Sequence, residues 1–186
     1  MPLYFAYGSN MDRDAMAVRC PASRPLGLAR LAHHRVVIMR EGFASIAPDP
    51  RRIVIGMLWD LAFADVSTLD RYEGVARGLY RKCVLSVLGE DGPRRALVYV
   101  GANAGPGAPR AGYLESVMDP GRAAGLPAAY LDEIAALGGR GLRGSGEGQG
   151  PDRWTAGRDV PAVRPMRRTP LDRPPSDGSA GWRWEP

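Results

Sequence analysis

The amino-acid sequence predicts an α+β fold in which strands dominate: a small mixed β-barrel, or a strongly curved mixed sheet, with flanking helices. Two observations carry that expectation. Short apolar runs rich in β-branched and aromatic residues recur through residues 1–137, each bounded by Gly, Pro, Asn or Asp turn signals. Those runs are not separated by the regular long helices that a doubly wound parallel sheet requires.

Taken in order, residues 2–6 read as a strand, the next few as a tight loop, and roughly 11–19 as a short helix. Residues 26–40 contain a strand centred on Val36-Val37-Ile38-Met39, and 42–47 read as a short edge segment. Ile53 to Leu61 is a β-rich run expected to be central. A short helix is expected at 66–73. Residues 79–88 and 94–101 form a hairpin pair joined at Glu90-Asp91-Gly92-Pro93. Two helices, near 111–124 and 127–137, close the domain.

From Gly138 the character changes. Residues 138–186 hold ten Gly, seven Pro and nine Arg against six acids, with hardly an aliphatic cluster. Such a stretch buries too little apolar area to offset its ordering entropy, and it reads as a disordered tail. Trp154, Trp182 and Trp184 are exceptions that can dock locally. The expected division is therefore a domain at 1–137 and a Gly/Pro/Arg-rich tail at 138–186.

Composition removes several function classes. The net charge is +5, but Lys82 is the only lysine and the arginines are scattered. No basic run supports a nucleic-acid partner. Two cysteines, Cys20 and Cys83, are too few for a disulfide framework or a thiolate metal site. Met-Pro-Leu-Tyr-Phe does not read as a signal peptide, and no stretch approaches the ~20 apolar residues of a membrane span. A reduced, cytoplasmic protein with no membrane partner and no cofactor is the expectation.

Two segments carry chemistry. In Tyr7-Gly8-Ser9-Asn10 a strand gives way to a helix, leaving backbone N–H groups without intrahelical partners. Gly8 permits a sharp turn and a close ligand approach. Such donors suit a carboxylate, a phosphate or an oxyanion; equally, Ser9 or Asn10 can simply cap the helix. The spacing is not that of a P-loop. In Ser67-Thr68-Leu69-Asp70-Arg71-Tyr72-Glu73-Gly74, Ser67 and Asp70 stand in capping-box spacing and Gly74 suits a left-handed stop. That places Glu73 at a helix C-terminus, where the dipole opposes negative charge and suits a general base of raised pKa.

Other candidates have plainer readings. His33 and His34 are adjacent, so on a strand they face opposite sides and cannot share a metal. No Gly-x-Ser-x-Gly elbow supports a triad of Ser9, His34 and an acid. Cys20 reads as packing. Tyr80, Tyr99 and Tyr113 read as core or wall aromatics, and Asp12 and Asp14 as first-turn acids.

Together these residues resemble the γ-glutamylcyclotransferase family, including its plant-type AIG2-like and butirosin-biosynthesis branches. Tyr4-Phe5-Ala6-Tyr7-Gly8-Ser9-Asn10-Met11 resembles its Y-x-Y-G-S-N signature. Gly56-Met57-Leu58-Trp59 resembles its G-x-(L/V)-(W/Y) strand. Leu69-Asp70, Glu73-Gly74 and Tyr80 resemble the segment holding its acid. Gly125-Leu126-Pro127 with Tyr130 is similar to its G-L-P-x-x-Y helix pair.

The resemblance implies a small β-barrel with flanking helices and no cofactor or metal. It also implies an intramolecular acyl transfer in which a γ-glutamyl amide closes to 5-oxoproline and releases its amine. Glu73 would be the catalytic acid/base. Gly8, Ser9 and Asn10 would hold the oxyanion, and Tyr7, Tyr80, Tyr99 and Tyr113 would line the pocket. The partner implied is a small-molecule γ-glutamyl substrate, and the protein would be a monomer or homodimer. A carrier-bound or isopeptide γ-glutamyl amide, a non-catalytic binding module on the same fold, and a protein acting through its Arg-rich tail remain alternatives.

Overall fold

In the computed structural model, which describes residues 2–140, the strand-rich segments close on themselves. The order is β1 (Leu3–Ala6), a single 3-10 turn (Ser9–Met11), α1 (Arg13–Arg19), β2 (Arg24–Ile38), β3 (Ala44–Asp60) and α2 (Phe63–Tyr72). After a second 3-10 turn (Val75–Arg77) come β4 (Tyr80–Gly89), β5 (Gly92–Gly101), α3 (Tyr113–Ala123) and α4 (Ala128–Arg140). The strands form a closed barrel in the order β1-β3-β2-β4-β5. All ladders are antiparallel except β1 with β5, where Leu3 pairs Ala96 and Tyr4 pairs Leu97 in parallel. The predicted α+β barrel with flanking helices is therefore the observed fold.

Closure puts one face of each strand inside. Phe5, Val54, Met57 and Val98 have no solvent contact, and Leu31, Val87 and Ala96 join them. Each of the larger side chains among them contributes about 1.5–3 kcal/mol by leaving water. Val117, Leu126, Leu131 and Ile134 bind α3 and α4 into the same cluster, together with Met11 of the first 3-10 turn. Tyr130 fastens α4 to the barrel, its hydroxyl accepting from the Ile55 N–H at 3.0 Å.

Gly56 controls how closely β1 lies on β3. A Cβ there would stand 2.2 Å from the Ala6 carbonyl oxygen, so only glycine lets the end of β1 settle. That end leads directly into Tyr7-Gly8-Ser9-Asn10.

Three local expectations are corrected. Residues 42–47 are not a separate edge segment: Ala44 to Asp60 is one strand. β1 covers only its last part, Met57–Asp60, so Pro48 and Pro50 fall where β3 has a single strand neighbour. A missing N–H is tolerated there. A bulge between Ala32 and His34, with His33 at φ 60°, absorbs the extra β3 residues. Next, α2 starts at Phe63, ahead of the expected capping box. Ala62 is its N-cap, and Ser67 is an exposed mid-helix residue. Finally, Asp12 rather than Ser9 or Asn10 caps α1, its carboxylate accepting from the N–H groups of Asp14 and Ala15 at 2.9 and 3.0 Å.

α4 runs on to Arg140, three residues past the expected boundary at 137. The remainder of the expected tail, with Trp154, Trp182 and Trp184, lies outside the described residues.

Candidate active site

Glu73 owes its place to the way α2 stops. Its N–H still bonds the Leu69 carbonyl at 2.9 Å, while Gly74 takes the left-handed conformation (φ 64°, ψ 35°) and turns the chain away. The carboxylate is thus set at the negative end of the helix dipole. It is half-buried, and its Oε1 accepts from Asn10 Nδ2 at 2.6 Å. Burial pushes its pKa up to about 7; the Arg19 charge and the Asn10 hydrogen bond pull in the other direction.

Because Asp12 does the capping, the side chain of Asn10 is free for another task. Its Nδ2 donates to Glu73 and also to the Tyr4 hydroxyl at 2.9 Å. Its Oδ1 accepts from the Arg19 guanidinium, which lies 3.5 Å over the ring of Tyr72. The Ser9 hydroxyl makes only a long contact, 3.4 Å, with the Tyr72 hydroxyl. Gly8 has φ −121°, so it is not needed for a left-handed turn; a Cβ on it would lie 3.4 Å from the Tyr113 hydroxyl. Among the described residues the backbone N–H groups of Gly8, Ser9 and Asn10 donate to no protein acceptor. They are spare donors beside a carboxylate.

Five tyrosines surround this centre: Tyr4 and Tyr7 from β1 and the residue after it, Tyr80 opening β4, Tyr99 on β5 and Tyr113 opening α3. All are at least nine-tenths buried. Burial raises each phenol above its ordinary range, and the Glu73 charge adds to the effect, so they stay protonated near neutral pH. Their hydrogens differ in use. Tyr7 donates to the Tyr99 carbonyl, Tyr80 to the Ala44 carbonyl at 2.6 Å and Tyr99 to Asp70 at 2.7 Å. Asp70 also pairs with Lys82 at 2.7 Å. Tyr113 and Tyr4 instead accept, from the Ala44 N–H and from Asn10. Each therefore keeps its own hydrogen to give to something else.

The structure thus gathers Glu73, the Gly8–Asn10 turn and the tyrosines at one end of the barrel, although Tyr99 turns its hydroxyl to Asp70. Tyr4, expected only as part of the signature segment, and Arg19, not expected from sequence, also belong to the group through Asn10. Tyr4 sits in the signature but looks like any strand aromatic, and nothing in the spacing of Arg19 marks it. His34 bonds the Ala32 carbonyl and has no bond to Ser9, so no triad forms. Among the described residues no group of three His, Cys, Asp or Glu is arranged to hold a metal. Nor is any helix there long and apolar enough to cross a membrane.

The chain is similar to known proteins over most of the described residues. A model of the AIG2-like family matches residues 53–134, the span that includes Glu73, Tyr80, Tyr99 and Tyr113. γ-Glutamylcyclotransferases of Homo sapiens and Mus musculus are 26% and 28% identical over 148 residues, covering 73% of this chain and 78% of theirs. A solved structure of a γ-glutamyl cyclotransferase superposes with a TM-score of 0.67 at 25% identity, over 73% of this chain and 86% of that one.

Proposed function

We propose that the chain, which resembles the γ-glutamylcyclotransferase/AIG2-like family in fold and sequence, cyclises a γ-glutamyl amide to 5-oxoproline, with Glu73 as general acid/base. The observation that carries this reading is the carboxylate of raised pKa held by Asn10 next to three unpaired backbone donors.

The substrate's α-amine and γ-carbonyl are in one molecule, so a five-membered ring closes without a protein nucleophile. The α-ammonium first gives a proton to Glu73. The freed nitrogen attacks the γ-carbonyl carbon, and the carbonyl electrons move to oxygen. The N–H groups of Gly8, Ser9 and Asn10 receive that oxyanion. The bond to the original amide nitrogen then breaks as the Glu73 proton goes to the departing amine. The ring nitrogen gives up its surplus proton to the freed Glu73 carboxylate, which passes it to the released amine, leaving a neutral lactam and an ammonium. Tyr113, with its hydrogen uncommitted beside Gly8, is suited to the glutamyl carboxylate or the oxyanion. Tyr7 and Tyr80 build the wall, their hydroxyls spent on backbone carbonyls.

Glu73→Gln tests the proposal. It should fold and melt cooperatively at or above the wild-type temperature, and lose at least about 100-fold in 5-oxoproline release. Near wild-type turnover would sink the mechanism. The leaving group is chosen elsewhere, by the β2–β3 turn at 39–43, where the expected 40–52 loop is strand from Ala44 on, and by the connection at 102–112. Parallel incubations with γ-glutamyl-alanine, glutathione and γ-glutamyl-lysine sort dipeptide, tripeptide and isopeptide-like amides.

A further inference from the structure

Arg19 lies in the last turn of α1, next to the buried C-cap Cys20. Among the described residues it makes no ion pair with any carboxylate. A half-buried guanidinium ordinarily takes one. This one is spent on a neutral amide and on the face of Tyr72.

The amide explains the arrangement. Arginine only donates, so its partner on Asn10 must be Oδ1, which leaves both Nδ2 hydrogens for Glu73 and Tyr4. Turned over, the amide would set Oδ1 against the carboxylate and Nδ2 against the guanidinium, two repulsions at once. Remove the guanidinium and the turned-over amide becomes compatible with one state of Glu73: the protonated acid, donating to Oδ1. We infer that Arg19 is a positioning residue for Glu73, locking the Asn10 amide so that it presents a donor to the carboxyl and never an acceptor, a contact strongest with the ionised carboxylate, while its charge favours the same form.

The other groups around the carboxylate do not compete for this role. Tyr4, Tyr7, Tyr80, Tyr99 and Tyr113 remain neutral, and Asp70 is held by Tyr99 and Lys82. The thiol of Cys20, beside Arg19, is pushed up to about 11 by burial and carries no charge near neutrality. Arg19 is the charged side chain that acts on Glu73, pulling against its desolvation.

The inference rests on Glu73 being the base, yet its test needs no turnover. The Glu73 carboxyl carbon can be followed by 13C NMR in the full chain, its signal assigned by its loss in Glu73→Gln. In Arg19→Gln the titration midpoint should rise by roughly one to two pH units, and in Arg19→Lys, which keeps charge but not the planar fork, by less. The acid limb of kcat/KM should move the same way. A purely structural Arg19 would lower Tm and leave the midpoint where it is, and that result overturns the inference. Should Arg19→Gln not fold, Arg19→Lys decides: a raised midpoint supports the lock and an unchanged one refutes it. If instead Glu73→Gln keeps its turnover, the catalytic reading fails while the measured coupling of Arg19 to Glu73 stands or falls on its own.

Discussion

Glu73 carries two pH dependences with opposite consequences. A base must be ionised to work, so kcat/KM should rise with pH to a plateau, with its acid limb near pH 7, where the Glu73 pKa lies. An acid limb near the usual 4.5 would mean that another group is being read. Stability runs the other way. The pKa is raised from 4.5 to about 7 in the folded state, so the Glu73 contribution is full below about 4.5 and is lost as pH rises toward 7. The ionised side chain then costs on the order of 2 kcal/mol, allowing for its contact with solvent. Glu73→Gln keeps the carbonyl that Asn10 bonds and removes the charge. In urea at pH 8 it should be more stable than wild type, and near pH 4.5 the difference should vanish; equal destabilisation at both values would contradict the burial argument. Ser9→Ala, by contrast, removes a hydroxyl whose one contact is 3.4 Å long and leaves the N–H in place. Turnover should fall less than about tenfold, well short of the loss of an oxyanion donor.

At the scale of the element, α2 matters for where it ends. Gly74→Ala forces a side chain into the left-handed region and brings Cβ to 3.2 Å from both Arg77 Nη2 and Leu79 Cβ. A loss of about 1–2 kcal/mol in denaturant unfolding is expected, with activity falling more than stability predicts because Glu73 is re-aimed. The Gly74 stop and the Glu73 position were legible from sequence, since a left-handed cap has a residue preference. The start of α2 was not. Its first turn is held by tertiary contacts of Asp65, which accepts from the Ala22 N–H and the Ser23 hydroxyl at 3.1 and 2.7 Å. The nearer Ser67 offered a local pattern that those contacts override. The length of β3 was hidden in the same way, because Pro48 and Pro50 break a strand only where both of its edges are paired. Nor could sequence decide between cap and ligand donor at Ser9 and Asn10. The answer lay in Asp12 taking the cap, and in Arg19 and Glu73 meeting Asn10 from two other helices.

At the scale of the whole molecule, the barrel and the site share one boundary. Leu131 and Ile134 anchor α4 in the core, and the helix continues to Arg140. A chain ending at residue 140 should therefore melt cooperatively and retain Glu73-dependent release of 5-oxoproline. Loss of activity in an otherwise folded truncation would assign residues 141–186 a part in the reaction. The closure of β1 against β5 reaches further. Tyr4 and Leu97 are sequence-distant partners, yet Tyr4 is bonded to the amide that holds Glu73. During synthesis, at about 5–20 residues per second, the signature turn leaves the ribosome several seconds or more before the strand that locks it exists. Pairings of such high contact order form late. The site is then among the last features to assemble, and the Tyr4–Asn10–Glu73 chain of hydrogen bonds completes only as the barrel closes.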